Sequence, residues 1–452
     1  MKIVLIGAGK VGITILEHIT NEGHEVIVVD NKPKNVEDII NKFDVMGICG
    51  NGASYDILKN AEVNKADLVV AATSSDEVNI LACLVSQKLG AKSTIARVRN
   101  YEYSNQVEML KKDLGLTMTI NPEAETAREI SKILSFPGVI SVESFAKGKV
   151  DLIELYIPED SPLIGQSLYS LYLQYQIRVL VCAVQRNDEV FIPTGSFTFQ
   201  AKDKVHITAS SKSDLKNFLT KVELLEQKLR NVMIIGGGKI STYLGNELIK
   251  NKHKVKIIET SQEKCNDLSL LLPKSTIICA DGSDQNVLIE EGIDKTDAIV
   301  CLTGSDEENI IISMFADKHD VKKIVTKINK SSFAQLMETV SDASIISPKD
   351  VTASKILSYI RAYNNKRGSN VITLYKLVNN RVEALEFIAK ENKKLLNLPL
   401  KDIKLKENIL VASIIRDGNV IIPSGNDRIC LNDRVIIVTT NQYLDDLNNI
   451  LE

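Results

Sequence analysis

Short apolar runs alternate with amphipathic segments in two separate stretches of this chain. In the first stretch, "KIVLIG", "EVIVVD", "VMGIC", "ADLVVAAT" and "STIARV" are nearly continuous apolar runs. That is the pattern of strands buried on both faces of a parallel sheet. Between them, "VGITILEHITNEG" and "EVNILACLVSQKLG" carry apolar residues at helical spacing and read as crossover helices. The alternation predicts an α/β fold, a doubly wound parallel sheet of Rossmann type. The stretch closes with a helix introduced by Asn121-Pro122, with proline near its first position. Residues 140–209 change character to short strands with turn signals such as "QRND" and "PTG" and one helix, a small α+β module.

The pattern then begins again. Gly7 corresponds to Gly236 and Asp30 to Glu259, both at a spacing of 229 residues. "CGNGASYDILKNAEVNKADLVVAATSSDEVNI" lies on "CADGSDQNVLIEEGIDKTDAIVCLTGSDEENI" at a spacing of 230. "INPEAETAREI" matches "ISPKDVTASKI", and "VQRNDEVFIPTGSFTFQAKDKV" matches "IIRDGNVIIPSGNDRICLNDRV". The chain is a duplication of a two-part unit, which sets its domain plan. The expected bounds are a Rossmann-like part at 1–137, an α+β module at 138–210, a charged helical connector at 211–229, a second Rossmann-like part at 230–364 and a second module at 365–452.

Composition narrows the function classes. In 452 residues, 55 Lys+Arg stand against 58 Asp+Glu, a net charge of −3. A nucleic-acid partner would leave a basic surplus, so none is expected. No apolar run approaches the roughly 18 residues that span a bilayer, and the N-terminus does not read as a signal peptide. The seven cysteines are odd in number and form no C-x-x-C pair. These features predict a cytoplasmic protein with buried thiols, and Cys49 and Cys279, at one repeat position, read as small buried hydrophobes.

Candidate chemistry starts at Gly7-Ala8-Gly9-Lys10-Val11-Gly12, between the first strand and the first helix. The first glycine allows the tight turn, the second admits a pyrophosphate to the backbone, and the third lets helix and strand pack closely. The helix amides and dipole then receive the phosphates. Asp30 ends the next strand, where a carboxylate accepts ribose hydroxyls and repels a 2′-phosphate, so NAD fits better than NADP. The second copy reads Gly236-Gly237-Gly238-Lys239-Ile240-Ser241, with Glu259 for Asp30. Its serine predicts a helix slightly further from its strand. Thr73 and Thr303 end the fourth strands, and Arg97 and Lys327 end the fifth, beside the crevice at the strands' carboxyl ends. A cation there either reaches a phosphate or simply faces solvent. His24 and His253 fall in turns, and nothing resembles a nucleophile elbow, a zinc helix or a catalytic histidine–carboxylate cluster.

Together the motifs "IGAGKVG…VVD", "CGNGAS", "AATSSDEVN", "ARVRN" and "NPEAETAREI", with their counterparts in the second copy, resemble the TrkA family over the full chain. That family comprises cytosolic nucleotide-binding subunits of bacterial Trk-type potassium uptake systems, built from tandem RCK N-terminal and C-terminal domains. The resemblance implies a regulator rather than an enzyme. It implies NAD(H), or ATP/ADP, bound by Gly7, Ala8, Gly9, Lys10, Val11, Asp30, Thr73, Ser74 and Arg97. In the second copy it implies Gly236, Gly237, Gly238, Lys239, Ile240, Glu259, Thr303 and Lys327. It further implies a homotetramer ring on a potassium-conducting membrane subunit, hence a peripheral place on the inner face of the cell membrane. It also implies that the helix after each Rossmann-like part crosses to a neighbouring lobe. The alternatives are an NAD-dependent oxidoreductase with a duplicated cofactor domain, and a nucleotide sensor for a different partner.

Overall fold

The computed structural model describes all residues except 101–102, 104–108, 110–114, 136–138, 147, 176–178, 225–228, 342, 366–370, 379–380, 391–394, 442–443 and 445. The first lobe runs β1 (Lys2–Ile6), α1 (Lys10–Asn21), β2 (Glu25–Asp30), α2 (Pro33–Lys42), β3 (Met46–Cys49), α3 (Tyr55–Asn60), β4 (Leu68–Ala71), α4 (Asp76–Leu89), β5 (Thr94–Arg97), β6 (Met118–Ile120) and α5 (Pro122–Leu134). Its six strands are parallel in the order β3-β2-β1-β4-β5-β6. The order reverses between β1 and β4, so the crevice lies beyond their carboxyl ends. The short strand β6 escaped the apolar pattern because only Ile120 of its three residues is buried.

The first α+β module holds β7 (Val139–Phe145), β8 (Val150–Tyr156), α6 (Leu168–Tyr175), β9 (Val179–Arg186), β10 (Glu189–Phe191), β11 (Lys204–Ala209) and α7 (Lys212–Lys221). Its strands form one antiparallel sheet in the order β10-β9-β11-β8-β7. The expected connector is partly core: Leu215, Phe218 and Leu219 of α7 are buried in this module. Part of that connector, 225–228, lies outside the described residues.

The second lobe repeats the first: β12 (Asn231–Ile235), α8 (Lys239–Lys250), β13 (Lys254–Glu259), α9 (Gln262–Leu271), β14 (Thr276–Cys279), α10 (Gln285–Glu290), β15 (Ala298–Cys301), α11 (Asp306–Lys318), β16 (Lys323–Lys327), α12 (Ser331–Val340), β17 (Ser344–Ile346) and α13 (Pro348–Asn365). Its strand order is the same. The second module has β18 (Val371–Leu377), β19 (Val382–Ile388), β20 (Ile409–Arg416), β21 (Asn419–Ile421) and β22 (Arg434–Thr439). Where the first module has α6, its described residues show only a 3-10 turn at Leu400–Asp402. The expected helix is absent there among the described residues, and "NLPL" supplies a proline at the turn's entry.

The two units interlock through their closing helices. Ala127, Ile130, Ile133 and Leu134 of α5 are buried in the second lobe's core beside Val232, Ile234 and Leu244. Ala353, Ile356, Leu357 and Ile360 of α13 are buried in the first lobe's core beside Ile3, Leu5 and Ile15. The helices cross as the resemblance implied, but within one chain. Each fully buried Ile or Leu contributes about 1.5–3 kcal/mol, so the lobes are firmly joined. The two modules also share one core, in which Phe145, Val150 and Leu152 meet Val382, Ala384 and Val438.

One buried group makes this fold acid-sensitive. His206 of β11 is 2% exposed, and its Nδ1 has no partner. Burial holds the imidazole below its usual value, aided by Lys204 and opposed by the Glu154 carboxylate. The unfolded chain therefore binds a proton that the folded chain refuses, so this contribution to stability is lost as pH falls below about 6.5. The repeat places Ile436 at the matching position. His206→Ile should reduce the fall in melting temperature between pH 7.5 and 5.5, read by calorimetry, and an unchanged fall would refute this role.

Candidate functional site

The three glycines of the first turn answer to three different neighbours. Gly7 has φ +102°, and a Cβ there would lie 2.8 Å from the Thr73 amide nitrogen, so only glycine fits. Gly12 packs against the turn itself, since a Cβ would lie 2.0 Å from the Gly7 carbonyl oxygen. A Cβ on Gly9 would meet nothing within 4 Å. The space above Gly9 is open to a ligand, as is the space above Gly238. A backbone that phosphate approaches needs that room, so both turns fit a dinucleotide or nucleoside polyphosphate.

The acid at the end of β2 holds the turn. Asp30 Oδ2 accepts from the Ala8 amide at 2.7 Å, and Oδ1 accepts from the Lys32 amide at 2.9 Å and from Asn35 Nδ2 at 3.1 Å. Glu259 repeats this, accepting from the Gly237 amide at 2.7 Å and the Ser261 amide at 2.9 Å. Burial pushes the Glu259 carboxyl up, but the Ser261 and Gly237 amides, with the Lys264 charge and the Thr260 hydroxyl, hold the group below the usual carboxylate range.

The second copy differs by compensated changes. A Cβ on Gly237 would lie 2.6 Å from Leu268 Cδ1 and 2.9 Å from Glu259 Cβ. The longer acid thus takes the space that the Ala8 methyl fills in the first copy. Ser241 is fully buried, and its hydroxyl donates to the Gly236 carbonyl. Where Gly12 leaves no room for a Cβ, the second copy carries a serine whose hydroxyl bonds the turn's own carbonyl. Helix α8 still begins at Lys239, the counterpart of Lys10.

Thr73 and Thr303 lie two residues past β4 and β15. Each amide donates to a buried asparagine, Asn79 at 2.8 Å and Asn309 at 2.9 Å. Those asparagines donate onward to the carbonyls of Arg97 at 2.9 Å and Lys327 at 3.0 Å. The network ties the ends of the fourth and fifth strands together in each lobe. Arg97 donates to the Thr73 carbonyl at 3.0 Å, while its buried Nε has no partner. Burial lowers the affinity of Arg97 and Lys327 for their protons, and neighbouring Arg99 adds to the effect at Arg97. Both cations are therefore set to gain from an anion. Ser74 is exposed.

The starts of α1 and α8 meet at one crevice, which Gly7, Ala8, Gly9, Gly236, Gly237, Asp30, Glu259, Thr73, Ser74 and Thr303 do not line. A cavity of about 550 Å³ is lined by Lys10, Val11 and Arg97 from the first lobe and by Gly238, Lys239, Ile240 and Lys327 from the second. Arg99, Glu123 and Lys349 also line it. The sequence pattern had not singled these out. Arg99 was visible in "ARVRN", two residues past Arg97, where the chain has already left β5. Glu123 and Lys349 open the crossing helices, and only their exchange between lobes brings them here. Arg99 and Glu123 form an ion pair at 2.5 Å. A larger cleft of about 820 Å³ lies along α5 and α13. Its charges are largely spent on ion pairs such as Lys132–Glu129 at 2.8 Å, and no glycine turn opens into it.

Two expectations about thiols fail. Cys49 and Cys279 are exposed, not buried. Both end the third strand of a lobe, which is the edge strand of its sheet.

Models of the TrkA-N domain match residues 3–122 and 232–348, and models of the TrkA-C domain match 152–219 and 384–452. A Trk system potassium uptake protein TrkA homolog of Archaeoglobus fulgidus is 31% identical over 455 residues, covering 100% of both chains. A homolog 1 of Methanosarcina mazei is 32% identical over 97% of each chain. Among solved structures, the GsuK channel superposes with TM-score 0.64 at 15% identity, covering 98% of this chain and 77% of that one. The GsuK RCK domain gives 0.62 at 16% identity, covering 98% and 92%. These structures share the fold, a tandem of Rossmann-like lobes and small antiparallel modules, and the full-length sequence matches go further: this chain belongs to the TrkA family.

Proposed function

We propose that this chain is a nucleotide-binding regulatory subunit of potassium transport. It takes NAD(H), or ATP or ADP, at its two glycine turns and passes the binding on as a change in lobe arrangement. The observation that carries this reading is the shared basic crevice, with open space above Gly9 and Gly238 and an acid at the end of each second strand. The contacts assigned are those of both turns, Asp30, Glu259, Thr73, Ser74, Thr303, Arg97 and Lys327. The domain bounds proposed are those read from the repeat, with α7 counted to the first module in whose core it packs. The GsuK channel bound to NAD and GsuK bound to ADP show the same ligand classes in a protein of this fold.

The energetics limit how such a ligand acts. Allosteric coupling is typically 1–3 kcal/mol, too little to strip a crossing helix from its host core. The ligand instead biases small shifts between lobes that stay joined. Helix α1 starts at the first turn and packs on α13, and α8 starts at the second and packs on α5. Phosphate at either turn therefore pushes directly on an inter-lobe contact.

The outer faces support assembly into a ring. Leu81 on α4 and Ile311 on α11 occupy the same repeat position and are 49% and 58% exposed. Met314 adds to the second patch. Such paired apolar faces suit a closed ring of four chains, eight lobes in all. No helix among the described residues is long and apolar enough to cross a membrane, so the ring acts on a separate potassium-conducting subunit from the cytoplasmic side. We read the chain as a regulator, not an enzyme. Light scattering should give a homotetramer whose compactness differs between ATP and ADP, with altered potassium flux beside the membrane partner. A monomer at micromolar concentration, or identical scattering and flux with every nucleotide, would refute it. Steady turnover of NADH with a candidate substrate would favour the oxidoreductase instead.

A further inference from the structure

The second lobe carries a pair of thiols at the edge of its nucleotide turn. Cys279 ends β14 opposite Glu259 in the strand register and is exposed. Cys265 lies in the first turn of α9 and is buried. Its Sγ is 3.3 Å from the Glu259 carbonyl oxygen and 4.0 Å from that of Ile278. The Cys279 Sγ is 3.8 Å from the Thr260 carbonyl oxygen. Both sulfurs thus sit on the same short piece of main chain that carries the ribose-facing acid.

The first copy confirms which face Cys279 uses. Val36 stands at the position of Cys265, and Gly47 at that of Ile277. A Cβ on Gly47 would lie 2.6 Å from Val36 Cγ1. Residues two apart on a strand share a face, so the third strand's last cysteine points to the same covering helix. In the second lobe that helix presents a thiol, and in the first it presents a methyl. Burial and the neighbouring Cys279 push the Cys265 thiol up to about 11, so Cys265 stays protonated until its partner is activated.

We propose that Cys265 and Cys279 are a reversible redox pair whose disulfide closes the second nucleotide site to its ligand. The oxidant class is a peroxide. The Cys279 thiolate attacks one peroxide oxygen, the O–O bond breaks, and with one proton taken up water leaves, giving a sulfenic acid on Cys279. The Cys265 sulfur then attacks the sulfenic sulfur, the S–O bond breaks, and the Cys265 proton leaves with the hydroxyl as a second water. The two thiols lose two electrons and two hydrogens, and the peroxide gains them. The bond ties α9 to the end of β14 and draws on the main chain at Glu259, whose carboxylate braces Gly237. Linkage makes the effect reciprocal: nucleotide at the second site opposes oxidation by the same factor. Cys49 is the internal control, an exposed thiol at the same place without a resolving partner.

This gating rests on the nucleotide reading above, and the test separates the two. The reduced full-length chain is treated with hydrogen peroxide, alkylated and peptide-mapped without reductant. A linked Cys265–Cys279 peptide pair, two hydrogens lighter, should appear and vanish on adding dithiothreitol. Cys49 should give only a sulfenic adduct. Cys265→Val, which copies Val36, should remove the link and keep nucleotide binding. Titration with NAD and with ATP should show the second site weakened at least tenfold by oxidation, with the first unchanged. No link under peroxide that fully modifies Cys49 would overturn the pair. A link with unaltered second-site affinity would overturn the gating. A reduced chain that binds nothing at the second turn would overturn the nucleotide reading and the gating with it, while the peptide map would still decide the disulfide.

Discussion

Gly9→Val should weaken nucleotide binding at the first turn by at least about 100-fold, roughly 2.8 kcal/mol, and leave the folded chain intact. The structure makes this substitution unusually clean. A Cβ at Gly9 meets no protein atom within 4 Å, so valine occupies only the space that phosphate needs. Gly7 and Gly12 could not serve, because a Cβ at either would strike backbone and disturb the turn itself. Gly238→Val makes the same test in the second lobe. Isothermal titration of the unaltered chain should show two binding classes, because Gly237, Glu259 and Ser241 reshape the second pocket. Gly9→Val should delete one class and Gly238→Val the other, at unchanged melting temperatures. Two sites that vanish together in either variant would count against independent pockets. Full retention of binding in both would remove the glycine turns from the function.

Asp30→Ala should cost both binding and stability. The ribose contact alone is a charge-assisted hydrogen bond, about 1.5–3 kcal/mol, or a 10- to 150-fold rise in dissociation constant. The structure adds a second cost, since the same carboxylate accepts from the Ala8 and Lys32 amides. Removing it leaves the buried Ala8 amide without its acceptor, a loss of about 1–3 kcal/mol of stability. Asp30→Asn keeps one carbonyl acceptor and the shape. It should recover part of the melting temperature and less of the affinity. Equal recovery of both would mean that the acid acts only by bracing the turn. Unchanged affinity in Asp30→Ala would sink its assignment as a ribose contact.

Much of this could be read from the chain because the signals are local. Near-continuous apolar runs such as "KIVLIG" announce buried parallel strands, and a glycine turn followed by an acid at the next strand's end locates a nucleotide site. Comparison of the two copies then located the second turn and its altered residues. Strands β6 and β17 stayed hidden since three residues are too few to make a periodic pattern. Cys49 and Cys279 were misplaced because a cysteine's side chain gives no sign of whether a strand end is covered.

The sequence by itself determined the duplicated plan, the Rossmann-type lobes and the identity of the turn residues, because these depend on spacing within a single strand–turn–helix. It could not show where each helix's apolar face would be spent. The stripe Ala127, Ile130, Ile133 and Leu134 fits its own lobe or the other equally well as a pattern. Only the packed structure shows that it enters the second core while Ala353, Ile356, Leu357 and Ile360 enter the first. That exchange brings Glu123 and Lys349 to one crevice and sets Lys10 and Val11 of the first lobe across it from Gly238, Lys239 and Ile240 of the second. Burial is a property of three-dimensional neighbours, and helical periodicity records only that a face will be covered, not by what.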